Sequence, residues 1–421
     1  MTRLASFLAY GLAALLTAAL TLASPAQAQV DGPIAKAAFL MARAATPVNA
    51  TPYATNLDPA LLPHFRAAIA KTRAGTANTI ILMEGDSTTA GVNGAQSGAA
   101  NQYANVRITS FPYFLGQIGV SGLPTSNQNW WGDAGSAGHS SSPAAYNPLL
   151  TLNSGWAISG GTVFSLGNYA LGNSTTTNTL DYAPTGSLNT CVIYAITSAS
   201  QGTWQWSVDS GSISSAISNS AANGIAATTV SLGTAGAHIL HIARATGSVS
   251  FQGVSCYNSA TASVLIWNAG WGGSKAGDWT GNAYAWQPTI IGTTPITPNL
   301  TVITLGINDW INGTSISSFT TSLTTDVTNA QRSGDVILVD PFPSNTSSVT
   351  QATQNQYRAA IAAVAAATNV PLVDWQGRVV SYAVANTNGF AGGQDSYHPS
   401  PTGYADFAAF IYQILQQAVG Y

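Results

Sequence analysis

An α/β domain built on a mainly parallel sheet and interrupted by an all-β sandwich is the fold this sequence predicts. Three observations carry that expectation. Short continuous apolar runs, Thr79-Ile80-Ile81-Leu82-Met83 and Leu300-Thr301-Val302-Ile303-Thr304-Leu305 among them, read as strands buried on both faces. Stretches of helical periodicity alternate with those runs, as in βαβ units. From 134 to 262 the texture changes to short alternating strands separated by Gly, Asn and Ser clusters, the pattern of an antiparallel sandwich.

The elements follow in order. Arg3, an apolar stretch from Leu4 to Leu22 and Ser24-Pro25-Ala26-Gln27-Ala28 make residues 1–28 a signal peptide cleaved after Ala28. An uncleaved anchor is the alternative, which Pro25 and the Ala-x-Ala site disfavour. Residues 29–57 form an irregular N-terminal segment. The first part of the α/β domain covers 58–133, with a helix over 59–73 (Leu61, Leu62, Phe65, Ile69), the strand at 79–83 and a helix over 105–119. Strands of the insert, 134–262, are expected at 163–166, 191–194, 204–208, 229–232, 238–242 and 249–254. The second part, 263–421, alternates strands at 264–267, 300–305, 336–339 and 371–374 with helices over 316–332, 351–367 and from Pro401 onward.

Composition narrows the function. Lys+Arg number 12 and Asp+Glu 15 in 421 residues, a charged share of 6% against roughly 25% in ordinary soluble domains. Hydrophobic residues still reach 46%, enough for a full core, so low charge does not mean disorder. Net charge is −3 with no Lys/Arg cluster, which excludes nucleic acid and anionic membrane as main partners. No later apolar segment is long enough for a membrane span, so no membrane role is expected after signal cleavage. An exported chain permits a disulfide between Cys191 and Cys256, worth about 4 kcal/mol in the chain-entropy account; two buried thiols are the alternative. His64, His139, His238 and His241 show no ligand spacing, so no metal site is expected.

Three short blocks stand at the carboxyl ends of expected strands, where open α/β sheets place ligands. Gly85-Asp86-Ser87 puts a serine in a strand-to-helix turn, Gly306-Ile307-Asn308-Asp309 follows the strand at 300–305, and Asp395-Ser396-Tyr397-His398-Pro399 precedes the last helix. A carboxylate three residues before a histidine can hold its Nδ1 and leave Nε2 free for a serine proton. The G-x-S-x-G elbow of α/β-hydrolases is absent, since Thr89 stands where its second glycine belongs.

Taken together, these blocks resemble the SGNH hydrolase superfamily, or GDSL esterases/lipases. Thr88 stands in place of the name-giving leucine, and Asn268-Ala269-Gly270-Trp271-Gly272-Gly273 looks like the remaining glycine block. Gly273 aligns with the family glycine, with Gly270 as the fallback. The resemblance covers about 59–133 and 263–421, and roughly 180 residues separate Ser87 from Gly273 where compact members have a few dozen. It implies a flavodoxin-like three-layer α/β/α domain, interrupted here by a jelly-roll-like sandwich similar to carbohydrate-binding ones. It further implies Ser87 as nucleophile, His398 as base, Asp395 as its orienting partner, and an oxyanion hole of Ser87, Gly273 and Asn308, with no cofactor. Trp271, Trp130 and Trp131 are candidates to line a substrate subsite, core packing being the equal alternative. Trp204 and Trp206 are candidates for a carbohydrate platform or, more in keeping with one strand face, for core.

The expected function is a secreted serine esterase that removes O-acetyl groups from a polysaccharide. Its rivals are a secreted lipase or short-chain carboxylesterase, a polysaccharide O-acetyltransferase, and a carbohydrate-binding module with a degenerate site. The expected partners are an acetylated polysaccharide or a small ester.

Overall fold

The computed structural model describes residues 53–96, 106–131, 147–160, 169–280, 296–346 and 349–419. The expected signal peptide, His139 and the strand expected at 163–166 lie outside them. A seven-stranded sheet forms the centre, from β1 (Ala54–Thr55), β2 (Thr79–Gly85), β3 (Thr125–Ser126), β4 (Val264–Gly270), β5 (Leu300–Thr304), β6 (Asp335–Asp340) and β7 (Leu372–Asp374). Its order is β1-β7-β6-β5-β2-β4-β3, parallel throughout except where β1 joins the edge. Both faces are covered, which is why the strands read as unbroken apolar runs. The helices are α1 (Pro63–Arg73), α2 (Ser87–Ala90), α3 (Phe111–Ile118), α4 (Ile307–Ile311), α5 (Ile316–Ala330), α6 (Gln351–Thr368), α7 (Trp375–Val379), α8 (Tyr382–Thr387) and α9 (Pro401–Ala418).

Leu82, Ile303 and Leu338 share one core with Phe319, Leu323 and Val327 of α5 and Ile361 and Val364 of α6. Ile81, Met83 and Val302 alternate with them and point to the other face. There α3 and α9 pack together, Phe111 meeting Phe407 at 4.9 Å between ring centroids. Pro63 opens α1 later than the expected 59, because Asp58 first caps a separate short turn over Pro59–Leu61. The helix expected over 105–119 divides at Ser110, whose hydroxyl accepts from Tyr113 N–H and restarts the chain as α3.

The insert is a sandwich of two antiparallel sheets. One has five strands, in the order Ile217–Ser218, Thr203–Val208, Leu240–Thr246, Thr179–Tyr182, Leu150–Leu152. The other runs Gly224–Gly236, Leu188–Thr197, Val249–Tyr257, Tyr169–Asn173, Trp156–Gly160, and Asn129–Trp131 pairs with Val249–Tyr257 as well. The sandwich therefore begins about five residues before 134, directly after β3. Cys191 and Cys256 stand opposite each other on neighbouring strands and are joined as a disulfide.

Several aromatic expectations change here. Trp204 is fully buried between the sheets with its indole N–H donating to Asn219 Oδ1 at 2.9 Å, and Trp206 packs against the same core. They form no carbohydrate platform. Trp130 belongs to that core too, whereas Trp131 lies at the seam with the α/β sheet, 4.4 Å from Trp267 and 4.7 Å from Tyr194. Both are only 3% exposed, so the apolar interior and not a subsite claims them. Trp271 is buried as well, edge-on to Trp279 at 5.9 Å beside α5.

Candidate active site

Parallel pairing sets three strand ends at one level. Gly85 on β2 lies opposite Gly270 of β4 on one side and Thr304 of β5 on the other. The chain leaves β2 toward β3 at one edge, returns at β4, then crosses to β5 on the far side, so β2 marks the point where strand order reverses. Ligands of open α/β sheets bind at such points.

Ser87 begins α2 directly after this crevice. Asp86 caps the helix, its carboxylate accepting from Thr88 N–H at 2.8 Å. Ser87 Oγ and His398 Nε2 are 2.8 Å apart although 311 residues separate them in sequence. His398 Nδ1 lies 2.7 Å from Asp395 Oδ2. The other carboxylate oxygen, Oδ1, accepts from the backbone N–H groups of His398 and Tyr397 at 2.8 and 3.0 Å. Burial acts to raise the Asp395 pKa, but the hydrogen bond and charge of His398 and those two amides hold it below the usual carboxylate value. Ser87 is 9% exposed and His398 4%, so the proton between them is largely shielded from bulk water.

The two candidate glycines now separate by role. A side chain on Gly270 would strike the Ala90 backbone within 2.1 Å, and its N–H already donates to Asn268 Oδ1 at 3.0 Å. Gly270 is thus where α2 lies flush on β4. Gly273 has φ +81°, open space around it, and an N–H that bonds to no described residue. Asn308 gives one amide proton to Ser274 O at 3.0 Å and keeps a second. Its neighbour Asp309 accepts from Ala276 N–H at 3.0 Å, so the Asn-Asp pair pins the loop that carries Gly273. Burial pushes the pKa of Asp86 and of Asp309 up to about 6 each.

Glu84, the chain's single glutamate, opens the Gly85-Asp86-Ser87 block, and its sequence position points to no role. It is fully buried three residues before Ser87 and faces Asp326 of α5, also buried. Burial is the larger cause that raises the Glu84 pKa well above its usual value, and the charge of Asp326 adds to it. Asp326 is pushed up to about 7, again by burial. The hydrogen bond the two carboxyls share requires one of them to keep its proton, which adds to the resistance of Glu84 to ionisation. A carboxyl with a higher pKa folded than unfolded binds more protons in the folded state. The pair's contribution to stability is therefore greatest below roughly pH 4 and is lost as pH rises through the folded values. Glu84→Gln should flatten this decline, so its Tm at pH 8 should exceed that of the parent. An equal decline in both proteins between pH 5 and pH 8 would remove the pair as its cause.

Among the described residues no group of three or more His, Cys, Asp or Glu side chains could hold a metal ion, and no helix is long and apolar enough to cross a membrane. His64, His238 and His241 each meet a single aspartate, Asp335, Asp209 and Asp181.

Residues 243–405 match the GDSL-like lipase/acylhydrolase family. The matched stretch carries Gly273, Asn308, Asp395 and His398 but stops short of Ser87, which the fold brings to them. A solved peptidoglycan O-acetylesterase resembles the chain at TM-score 0.58, covering 87% of this chain and 99% of its own, with 14% identity. That is a likeness of fold. Smaller regions resemble the lipase/acylhydrolase of Enterococcus faecalis (22% identity, TM-score 0.28, 36% of this chain and 74% of that one). The same holds for an acetyl xylan esterase of Geobacillus stearothermophilus (21%, 0.27, 36% and 73%). No curated protein matches in sequence. The family match over residues 243–405 supplies the acid–base loop and the fold hands it a serine, so that stretch groups with the GDSL-like lipase/acylhydrolases and, together with Ser87, builds an SGNH-type esterase site.

Proposed function

We propose that this esterase is secreted and removes O-acetyl groups from a polysaccharide through an acyl-Ser87 intermediate. The continuous line from Ser87 Oγ through His398 to Asp395 carries the chemistry. His398 Nε2 takes the serine proton as Oγ attacks the ester carbonyl, and Asp395 stabilises the imidazolium that forms. The oxyanion rests on the backbone N–H groups of Ser87 and Gly273 and on the free amide proton of Asn308. A first-turn N–H such as that of Ser87 has no partner within its own helix, and each donor aimed at the developing charge is worth about 3–4 kcal/mol. His398 returns the proton to the leaving alcohol, and water repeats the sequence on the acyl-serine.

Three features favour an acetylated neutral polymer. Charge is sparse over the whole chain; a sandwich sits beside the catalytic sheet through the Trp131–Trp267 contact; and the likeness of fold is to an enzyme named for removing acetyl groups from peptidoglycan. Secretion rests on the N-terminal Arg3, apolar run and Ala-x-Ala site.

The deciding assay compares p-nitrophenyl acetate with longer acyl esters and then measures acetate released from acetylated xylan, pectin and peptidoglycan. The expected result is a steep preference for acetyl and release from one polymer above the others. Preference for long acyl chains would make the protein a lipase instead.

A further inference from the structure

Val380 is 65% exposed and holds φ +70° and ψ −59°. Ser381 N–H donates back to Val379 O at 2.8 Å, which closes a three-residue γ-turn of the rare positive-φ kind. A β-branched residue is poorly suited to this conformation. Being exposed, its side chain gains no packing in return. What imposes the turn lies on either side, where Val379 and Tyr382 are both buried. Strain of this sort persists where the surroundings over-determine it, and it clusters at functional sites.

The turn delivers α8 beneath the acid–base loop. Tyr382 O–H donates to the backbone carbonyl of Asp395. The backbone of Gly393 also hydrogen-bonds the same hydroxyl. Phe390 N–H donates to Ala385 O at 2.7 Å, so the loop is seated on α8 at both ends. From above, Gly94 N–H donates to Pro399 O at 2.9 Å and Gln394 N–H to Gly94 O at 3.2 Å, joining the loop to the segment after the nucleophile helix. Tyr382 thus ties α8 to the residue whose carboxylate holds His398.

We infer that Tyr382 is a positioning residue for the Asp395–His398 pair, and that the strained turn at Val380 fixes its height under the loop. This rests on the reading of Ser87, His398 and Asp395 as a working triad. Among the described residues, the groups facing His398 are Asp395, Ser87, the Tyr397 ring at 4.7 Å and the Asp86 carboxyl, whose charge couples to that of His398. With its carbonyl released, Asp395 stabilises the imidazolium less.

The test is Tyr382→Phe in the full chain, assayed on p-nitrophenyl acetate across pH. The expected outcome is a kcat about tenfold lower, from one buried acceptor left unpaired, an unchanged KM, and an acidic limb of kcat/KM displaced to lower pH. The downfield proton resonance of the His398 Nδ1–H should weaken as well, and that signal does not depend on turnover. A kcat within twofold of the parent, or an unmoved acidic limb, overturns the assignment. Val380→Pro tests the turn without touching Tyr382: proline cannot adopt φ +70°, so kcat should fall and the limb move the same way, whereas Val380→Gly, which adopts this conformation freely, should keep kcat and hold or raise Tm. Unchanged kcat in Val380→Pro overturns the role of the turn. Activity that survives Ser87→Ala would instead strike the triad reading, which separates the two failures.

Discussion

Ser87→Ala should lower kcat on p-nitrophenyl acetate by about 10⁶-fold while leaving Tm nearly unchanged. The size follows from what the hydroxyl does. It is the acyl acceptor, and its recorded partner is His398 Nε2; without it neither half of the two-step route can proceed, and only binding and oxyanion stabilisation remain. The fold should tolerate the change because the cap of α2 comes from Asp86 and not from Ser87. A serine-directed phosphonylating reagent should label the parent at Ser87 and leave the variant untouched. Turnover retained within a hundredfold would mean that another group accepts the acyl chain.

Asp395→Asn should be the next most damaging single change, costing about 10⁴ in kcat as in triads where the same swap forces the wrong tautomer. Here the geometry says why. One carboxylate oxygen already accepts two backbone N–H groups, so the asparagine carbonyl is held there and its NH2 is turned to His398 Nδ1. Nδ1 must then act as acceptor, which places the proton on Nε2 and leaves nothing to receive the serine proton. Stability should respond to pH in the opposite sense from Glu84. Asp395 has a depressed pKa, so its contribution is present above the unfolded carboxylate value and is lost as pH falls through the folded one. Measuring kcat and the acid limb of Tm together in the variant checks both statements, and a loss below tenfold would contradict the first.

What sequence could show tracks how local each signal is. β2, β5 and α9 were legible because a buried strand or a long capped helix writes its whole pattern within a dozen neighbouring residues. Ser87, Asn308, Asp395 and His398 were legible because each sits where such an element ends. The helix α8 was not, since its six residues, Tyr-Ala-Val-Ala-Asn-Thr, carry no periodicity and rely on the Ser381 cap and on tertiary packing. Glu84 and Asp326 come together only through the packing of α5 on β2, which no motif records. Trp130 and Trp131 were ambiguous for a related reason. Indole rings near loop sequences serve core and ligand alike, and only the closing of two sheets over them decides.

The strand order of the central sheet also dictates when this hydrolase can first act. β4 lies between β2 and β3, yet the whole sandwich is synthesised between those strands and β4. The histidine then waits for the last loop before α9. Every catalytic contact to Ser87 is thus of very long sequence separation, and such contacts form late. A chain cut before His398 holds a serine without a base, so the triad assembles only once the loop before α9 has closed onto the sheet that β2 and β4 share.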